Sequence, residues 1–156
     1  KGKENVHHLH EELADMLVRH VTVSRHNEGL TRTMEVIKEI RERFSNITLD
    51  DTGRFANQTY IFANQFEAML DMALVITKGA LLRDEFRGAH AKVEFSERND
   101  ERWLKTTIAT YNADEPDISY EAVDTRHWEP TMRQYTKAKK GAPEPKNVPT
   151  TIKPPF

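Results

Sequence analysis

The chain has 156 residues, 37% hydrophobic and 31% charged, with a net charge of −2. That length supports one domain with a sizeable core, and the balanced charge excludes a general attraction to nucleic acid or to acidic membranes. Cysteine is absent, so disulfides, thiolate metal sites and cysteine nucleophiles are excluded, and a reducing compartment is the natural setting.

The hydrophobic share is low and the charged share somewhat high, which fits a thin core under much solvated surface or a piece of a larger assembly. No run of about 18 apolar residues exists, so nothing is expected to span a membrane. The start, Lys1-Gly2-Lys3-Glu4, has no Met and no signal-type apolar region, and the chain reads as a fragment or a processed piece.

The first helical pattern covers residues 5–20. Val6, Leu9, Leu13, Met16 and Leu17 recur there at three-to-four-residue spacing, one stripe of an amphipathic helix. Glu11 and Glu12 are placed in its first turn, where they complement the positive helix end. The β-branched run Val21-Thr22-Val23 interrupts the pattern. A second helix is expected to begin near Asn27, a good capping residue, with Leu30, Met34, Ile37, Ile40 and Phe44 on its apolar face. Glu39 and Arg43 stand four apart on it, in the favourable order for an ion pair.

Residues 45–53, rich in Asn, Asp, Thr and Gly, read as a loop. A third, longer helix is expected over 57–84, with Phe62, Phe66, Met69, Leu70, Ala73, Ile76, Ala80 and Leu81 on one side and Leu74 and Val75 widening the stripe. Gly88 lies just beyond it and is read as its left-handed stop. Residues 92–100 look charged and irregular. Leu104, Thr106, Ile108 and Thr110 alternate as in a strand, although Trp103-Leu104-Lys105 also fits the start of a helical turn, and residues 118–123 can return as the second arm of a hairpin. The fold class is therefore mainly α: a three-helix antiparallel bundle of the spectrin-repeat kind, followed by a short β-hairpin or an irregular C-terminal segment. Residues 1–86 form the bundle, 87–136 the C-terminal segment, and 137–156 a Lys- and Pro-rich tail.

Few residues carry chemistry. His7, His10 and Glu11 share one helix face at metal-ligand spacing, but the motif is not H-E-x-x-H and has no second cluster. Solvated residues of a first turn are the simpler reading, with a small metal-dependent catalyst as the competing one. No serine sits in a nucleophile elbow, and Gly2, Gly29, Gly53, Gly79, Gly88 and Gly141 lie too far apart for a phosphate cradle. Acidic residues are mixed evenly with basic ones, against a nucleic-acid face. Arg87, with five donors in a rigid fork, and His90 suit the fixing of carbonyls or carboxylates across an interface.

The stretch Arg87-Gly88-Ala89-His90, with Glu85 before it and Lys92, Glu94-Phe95, Glu97-Arg98, Asp100, Trp103-Leu104-Lys105 and Thr107 after it, resembles a family signature. It is that of the C-terminal helical domain of the flavoprotein subunit of succinate dehydrogenase and fumarate reductase. Val21-Thr22-Val23-x-Arg25-x-Asn27 and Ile76-Thr77-x-Gly79-Ala80-Leu81 are similar to the menaquinone-linked branch, and the resemblance runs over about residues 4–135. Phe86, Ser96 and Asn99 depart from the usual Ser, Pro and Asp; Phe86 replaces a hydroxyl with an apolar contact.

The resemblance implies a domain that follows a flavin-binding and a substrate-capping domain in one subunit. FAD and the residues that handle the dicarboxylate lie in those domains, so no catalytic, cofactor-binding or metal residue is assigned to this chain. Its implied partners are the flavin-binding and capping domains, an iron-sulfur subunit and, indirectly, a membrane anchor; nucleic acid is not among them. The implied setting is peripheral, on the cytoplasmic side of a bacterial inner membrane. The residues expected to dock the domain are Arg87, His90, Arg98 and Trp103. A free-standing helical interaction module is the alternative.

Overall fold

The structure, a computed structural model, describes residues 2–131. Residues 2–123 form one compact unit. Helices α1 (Val6–His20), α2 (Asn27–Phe44) and α3 (Gln58–Leu81) build its body. Their order alternates in direction. The start of α1 lies beside the end of α2, where Glu4 bridges to Ile47. The start of α2 lies beside the end of α3, where Leu30, Val21 and Ala80 share a buried cluster. The larger core gathers Val6, Leu9 and Leu13 of α1, Ile37 and Ile40 of α2, and Phe66, Leu70, Ala73 and Leu74 of α3. These are the residues of the three expected stripes, because apolar side chains at helical spacing can be buried only on facing sides.

Helix ends differ from expectation in informative ways. Asn27 is not the cap of α2 but its first residue; the cap is His26, whose Nδ1 accepts a hydrogen bond from the Gly29 N–H at 2.9 Å. Gly29 is small for a reason: an added Cβ would come within 2.5 Å of the His26 ring and 2.6 Å of His20 Nδ1. Helix α3 begins after its cap Asn57 but stops at Leu81, three residues before the expected end, with a right-handed Leu82. The first turn of α1 contains no acid. Glu12, expected there, instead takes Arg43 Nη1 at 2.6 Å, and the same guanidinium reaches Glu4; Glu39, the expected partner, is at 3.8 Å.

The chain beyond α3, together with a short strand between α1 and α2, forms two small sheets. Strands β1 (Ser24–Arg25), β2 (Phe86–Arg87) and β3 (His90–Lys92) make the first, in the order β1-β3-β2. β1 runs parallel to β3, and β2 antiparallel to it with Arg87 opposite His90. Gly88 is therefore not a helix stop. It opens the two-residue turn between β2 and β3, and its φ of +59° with no such angle at Ala89 is the type II′ pattern. The stretch expected to be irregular thus starts inside β3 with a buried Lys92 and ends in a short helix, α4 (Asp100–Trp103). The second sheet is the expected hairpin, β4 (Lys105–Thr110) with β5 (Asp117–Ala122), in register from Lys105↔Ala122 to Thr110↔Asp117. The Lys- and Pro-rich tail lies outside the described residues.

Candidate functional site: an arginine–carboxylate hub at the end of α3

Arg83, Glu85 and Arg87 stand two apart in the segment after α3, where the chain bends at Glu85 and enters β2, and both arginine side chains converge on the Glu85 carboxylate. Glu85 is wholly buried. Its Oε1 accepts from Arg83 Nε at 2.8 Å and from Arg87 Nε at 2.8 Å; its Oε2 accepts from Arg87 Nη2 at 2.9 Å and, more weakly, from the Asn99 N–H at 3.3 Å. The Arg87 fork thus spans both oxygens, the geometry that distinguishes arginine from lysine. Arg87 Nη2 also donates to Asp100 Oδ1 at 2.7 Å, and Arg98 donates to both oxygens of Asp100.

Arg83 ties this hub to the hairpin. Its Nη1 donates to the Lys105 carbonyl at 2.9 Å, its Nη2 to the Trp103 carbonyl, and its guanidinium lies 5.6 Å from the Trp103 ring centre. Trp103 is buried, edge-on to Tyr120 at 5.4 Å.

A second knot lies alongside. His90 Nε2 meets the Arg83 carbonyl at 2.8 Å, and His90 Nδ1 meets Arg25 Nη1 at 2.6 Å. A guanidinium cannot accept and a carbonyl cannot donate, so the ring is neutral with its proton on Nε2. Buried Lys92 places Nζ 2.7 Å from both the Leu81 carbonyl and Asp84 Oδ1, satisfying the open end of α3.

Protonation follows from these contacts. Burial alone would push the Glu85 carboxyl up, but the bonds from Arg87, Arg83 and the Asn99 N–H hold it below the usual carboxylate range. The Arg98 hydrogen bonds, outweighing desolvation and joined by Arg87, hold Asp100 at about 2. Desolvation lowers His90, and neighbouring Arg25, Lys92 and Arg83 lower it further against the one bond that favours its charge.

The structure brings together three of the four residues singled out in the sequence, Arg87, Arg98 and Trp103, and sets His90 beside them. Their donors face inward: Arg87 holds carboxylates of its own chain, whereas the sequence suggested carboxylates across an interface. Arg83 was missed, and Lys92 and Arg25, quoted only as parts of the resemblance, were given no role; the Arg-x-Glu-x-Arg spacing was the signal available for the first. Phe86 pairs with Ala91 and lines a groove with Ser24, Val93 and Ser96, so its ring lies between apolar and hydroxyl-bearing neighbours. His7 stacks on Phe62 at 4.7 Å and His10 meets the same ring edge-on at 5.4 Å, so both rings turn toward α3. Among the described residues no three His, Asp or Glu side chains gather at metal-binding distance, and no helix is long and apolar enough to cross a membrane.

A flavin does not fit these residues. Its pyrophosphate needs converging backbone N–H groups or free cations. The cations of the hub are spent on Glu85, Asp100 and carbonyls, and the Gly88 turn stands alone with open space around it.

Comparison with known proteins agrees with this architecture. The family model described as fumarate reductase flavoprotein C-term matches residues 10–135. The succinate dehydrogenase flavoprotein subunit of Bacillus subtilis is 44% identical over 140 residues, 88% of this chain and 24% of that protein. The fumarate reductase flavoprotein subunit of Helicobacter pylori is 34% identical over 151 residues, 94% of this chain and 21% of that one. A solved E. coli quinol fumarate reductase variant superposes with a TM-score of 0.80 at 26% identity, covering 85% of this chain and 23% of the other. The chain thus spans about a quarter of the length of the relatives it matches. From residue 10 through the arginine–carboxylate hub to the end of the described residues, the chain belongs to the fumarate reductase flavoprotein C-terminal family.

Proposed function

We propose that this chain is the C-terminal structural and docking domain of a flavoprotein subunit whose complete enzyme interconverts succinate and fumarate. Electrons pass between the dicarboxylate and FAD held in the preceding domains, and then through an iron-sulfur subunit to quinone. The chain supplies no catalytic residue and alone is inactive. The subunit sits peripherally on the cytoplasmic side of a bacterial inner membrane.

The observation that carries this reading is the inward commitment of the hub. Glu85, Arg83, Arg87 and Asp100, the residues whose chemistry looks most reactive, saturate one another and the backbone around them. Saturated, buried ion networks fix a shape and leave no group poised for a substrate. The docking residues read from the sequence then act at one remove: Arg87, His90, Arg98 and Trp103 hold residues 83–105 in the form that the neighbouring domains meet.

The test compares this chain with the complete subunit. Flavin absorbance and succinate-dependent reduction of an artificial electron acceptor are expected in the complete subunit and absent from the chain alone. Arg87→Ala in the complete subunit should lower both flavin content and the yield of complex with the iron-sulfur subunit. Flavin retention by the chain alone would sink the reading, as would a complete subunit that carries flavin but does not act on succinate or fumarate.

A further inference from the structure

Helix α3 is apolar on two sides, and only one of them is buried. Phe66, Leu70, Ala73, Leu74, Thr77 and Ala80 face the bundle. Its charged residues point a third way, where Asp71 meets Arg41 and Lys78 meets Glu115. The remaining side runs Ile61, Gln65, Ala68, Met72, Ile76 and Gly79, at steps of four or three residues, so one face continues from Ile61 to Gly79 without a charge. That is a strip about 27 Å long. Met72 is 57% exposed and Ile76 50%; Met69 and Val75 flank them. A soluble helix normally buries its apolar side, and a second, mostly apolar and uncharged face of this length left exposed marks an interface.

The strip ends beside a cation that has no counterion among the described residues. Arg25 borders a groove of about 310 Å³ with Ile76, Gly79, Thr107 and Ile118. It is half-buried, and among the described residues it donates to the Val21 carbonyl and to His90. Among the described residues no carboxylate pairs with it, although every arginine of the neighbouring hub has one. A partly desolvated guanidinium gains most from a carboxylate brought to it.

We propose that this strip is the seat of the preceding part of the same subunit, which lays an apolar segment along Met72 and Ile76 and a carboxylate against Arg25. The proposal rests on the reading of the chain as the C-terminal domain of a flavoprotein subunit. The occupant follows from length: about three quarters of each relative lies outside the region this chain matches, and a covalently joined partner is present at high effective concentration.

Methionine oxidation by dilute peroxide, read by mass spectrometry on the complete subunit, tests it. Met72 should oxidise roughly ten-fold more slowly than half-buried Met16 on α1, and as slowly as buried Met34. Ile76→Lys, a change at an exposed position of the domain, should restore rapid oxidation of Met72. Arg25→Gln should do so in part. Met72 oxidised as fast as Met16 in the complete subunit overturns the proposal. So does protection that vanishes on dilution, which would assign the strip to a second copy, or on removal of residues 132–156, which would assign it to the tail. Flavin content and succinate chemistry of the same sample separate a failure of the seat from a failure of the underlying reading.

Discussion

Replacing Glu85 with Gln removes the charge at the centre of the hub while keeping its shape. The carboxylate accepts four hydrogen bonds, three of them from guanidinium groups at 2.8–2.9 Å. A glutamine keeps one acceptor oxygen and turns an amide N–H₂ toward the other donor. At least one charge-assisted bond is lost, worth about 1.5–3 kcal/mol, and a donor then faces a donor. Breaking a fully buried pair costs about 3–5 kcal/mol, but Arg83 and Arg87 are 13% and 25% exposed and recover part of that from water. The expected loss is about 3 kcal/mol.

For a domain of this size that lowers the thermal midpoint by roughly 10 °C, measurable by circular dichroism at pH 7. The difference should depend on pH. The Glu85 carboxyl is held below its ordinary 4.5 in the folded state, so its contribution is complete above that value and disappears as pH falls through the folded value. Wild type and Glu85→Gln should therefore converge in acid. A midpoint shift under about 3 °C at pH 7, or a gap that widens as pH falls, would refute the reasoning.

Other substitutions probe single links. Gly88 adopts φ +59° with nothing within 4 Å of an added Cβ, so Gly88→Val should cost about 1–2 kcal/mol from backbone strain alone, and Gly88→Asn distinctly less, as read from urea midpoints. His90 is held neutral, with its proton affinity lowered in the fold, so the unfolded chain binds the proton first. Stability is complete above the ordinary 6.5 and falls as pH drops below it, and His90→Gln should flatten that slope between pH 7 and 5 in parallel urea titrations. Thr77 buries a hydroxyl that has no hydrogen-bond partner among the described residues, so Thr77→Val should raise stability by up to about 1 kcal/mol by calorimetry, whereas a loss would reveal a partner for Oγ1.

The helices and the hairpin were legible because their periods are local. Val6, Leu9 and Leu13 announce α1, and the alternation at Leu104, Thr106, Ile108 and Thr110 announces β4. The three-stranded sheet was not, because its strands have two or three residues each and β1 pairs with β3 from the far side of two helices. Gly88 illustrates the boundary. Its left-handed backbone was readable, but the element that needs it was not, since a helix stop and a hairpin turn make the same demand of one residue. Arg87 is similar. Its fork and its appetite for carboxylates are intrinsic to the side chain, while the location of the carboxylate is a tertiary fact. His26 displaced Asn27 as the cap because an imidazole Nδ1 can accept as a side-chain oxygen does.

The parallel pairing of β1 with β3 also fixes an order of events. Arg25 and His90 meet across 65 residues of chain. Closing such a loop on an unfolded polypeptide costs about 4 kcal/mol in chain entropy, more than two short strands return. Once α2 and α3 lie antiparallel, their ends already stand together and most of that cost is gone. The small sheet is therefore expected to close after the bundle forms and to open before it melts. Its amides, that of Val93 bonded to the Arg25 carbonyl at 2.8 Å among them, should exchange with solvent well ahead of those in the bundle core.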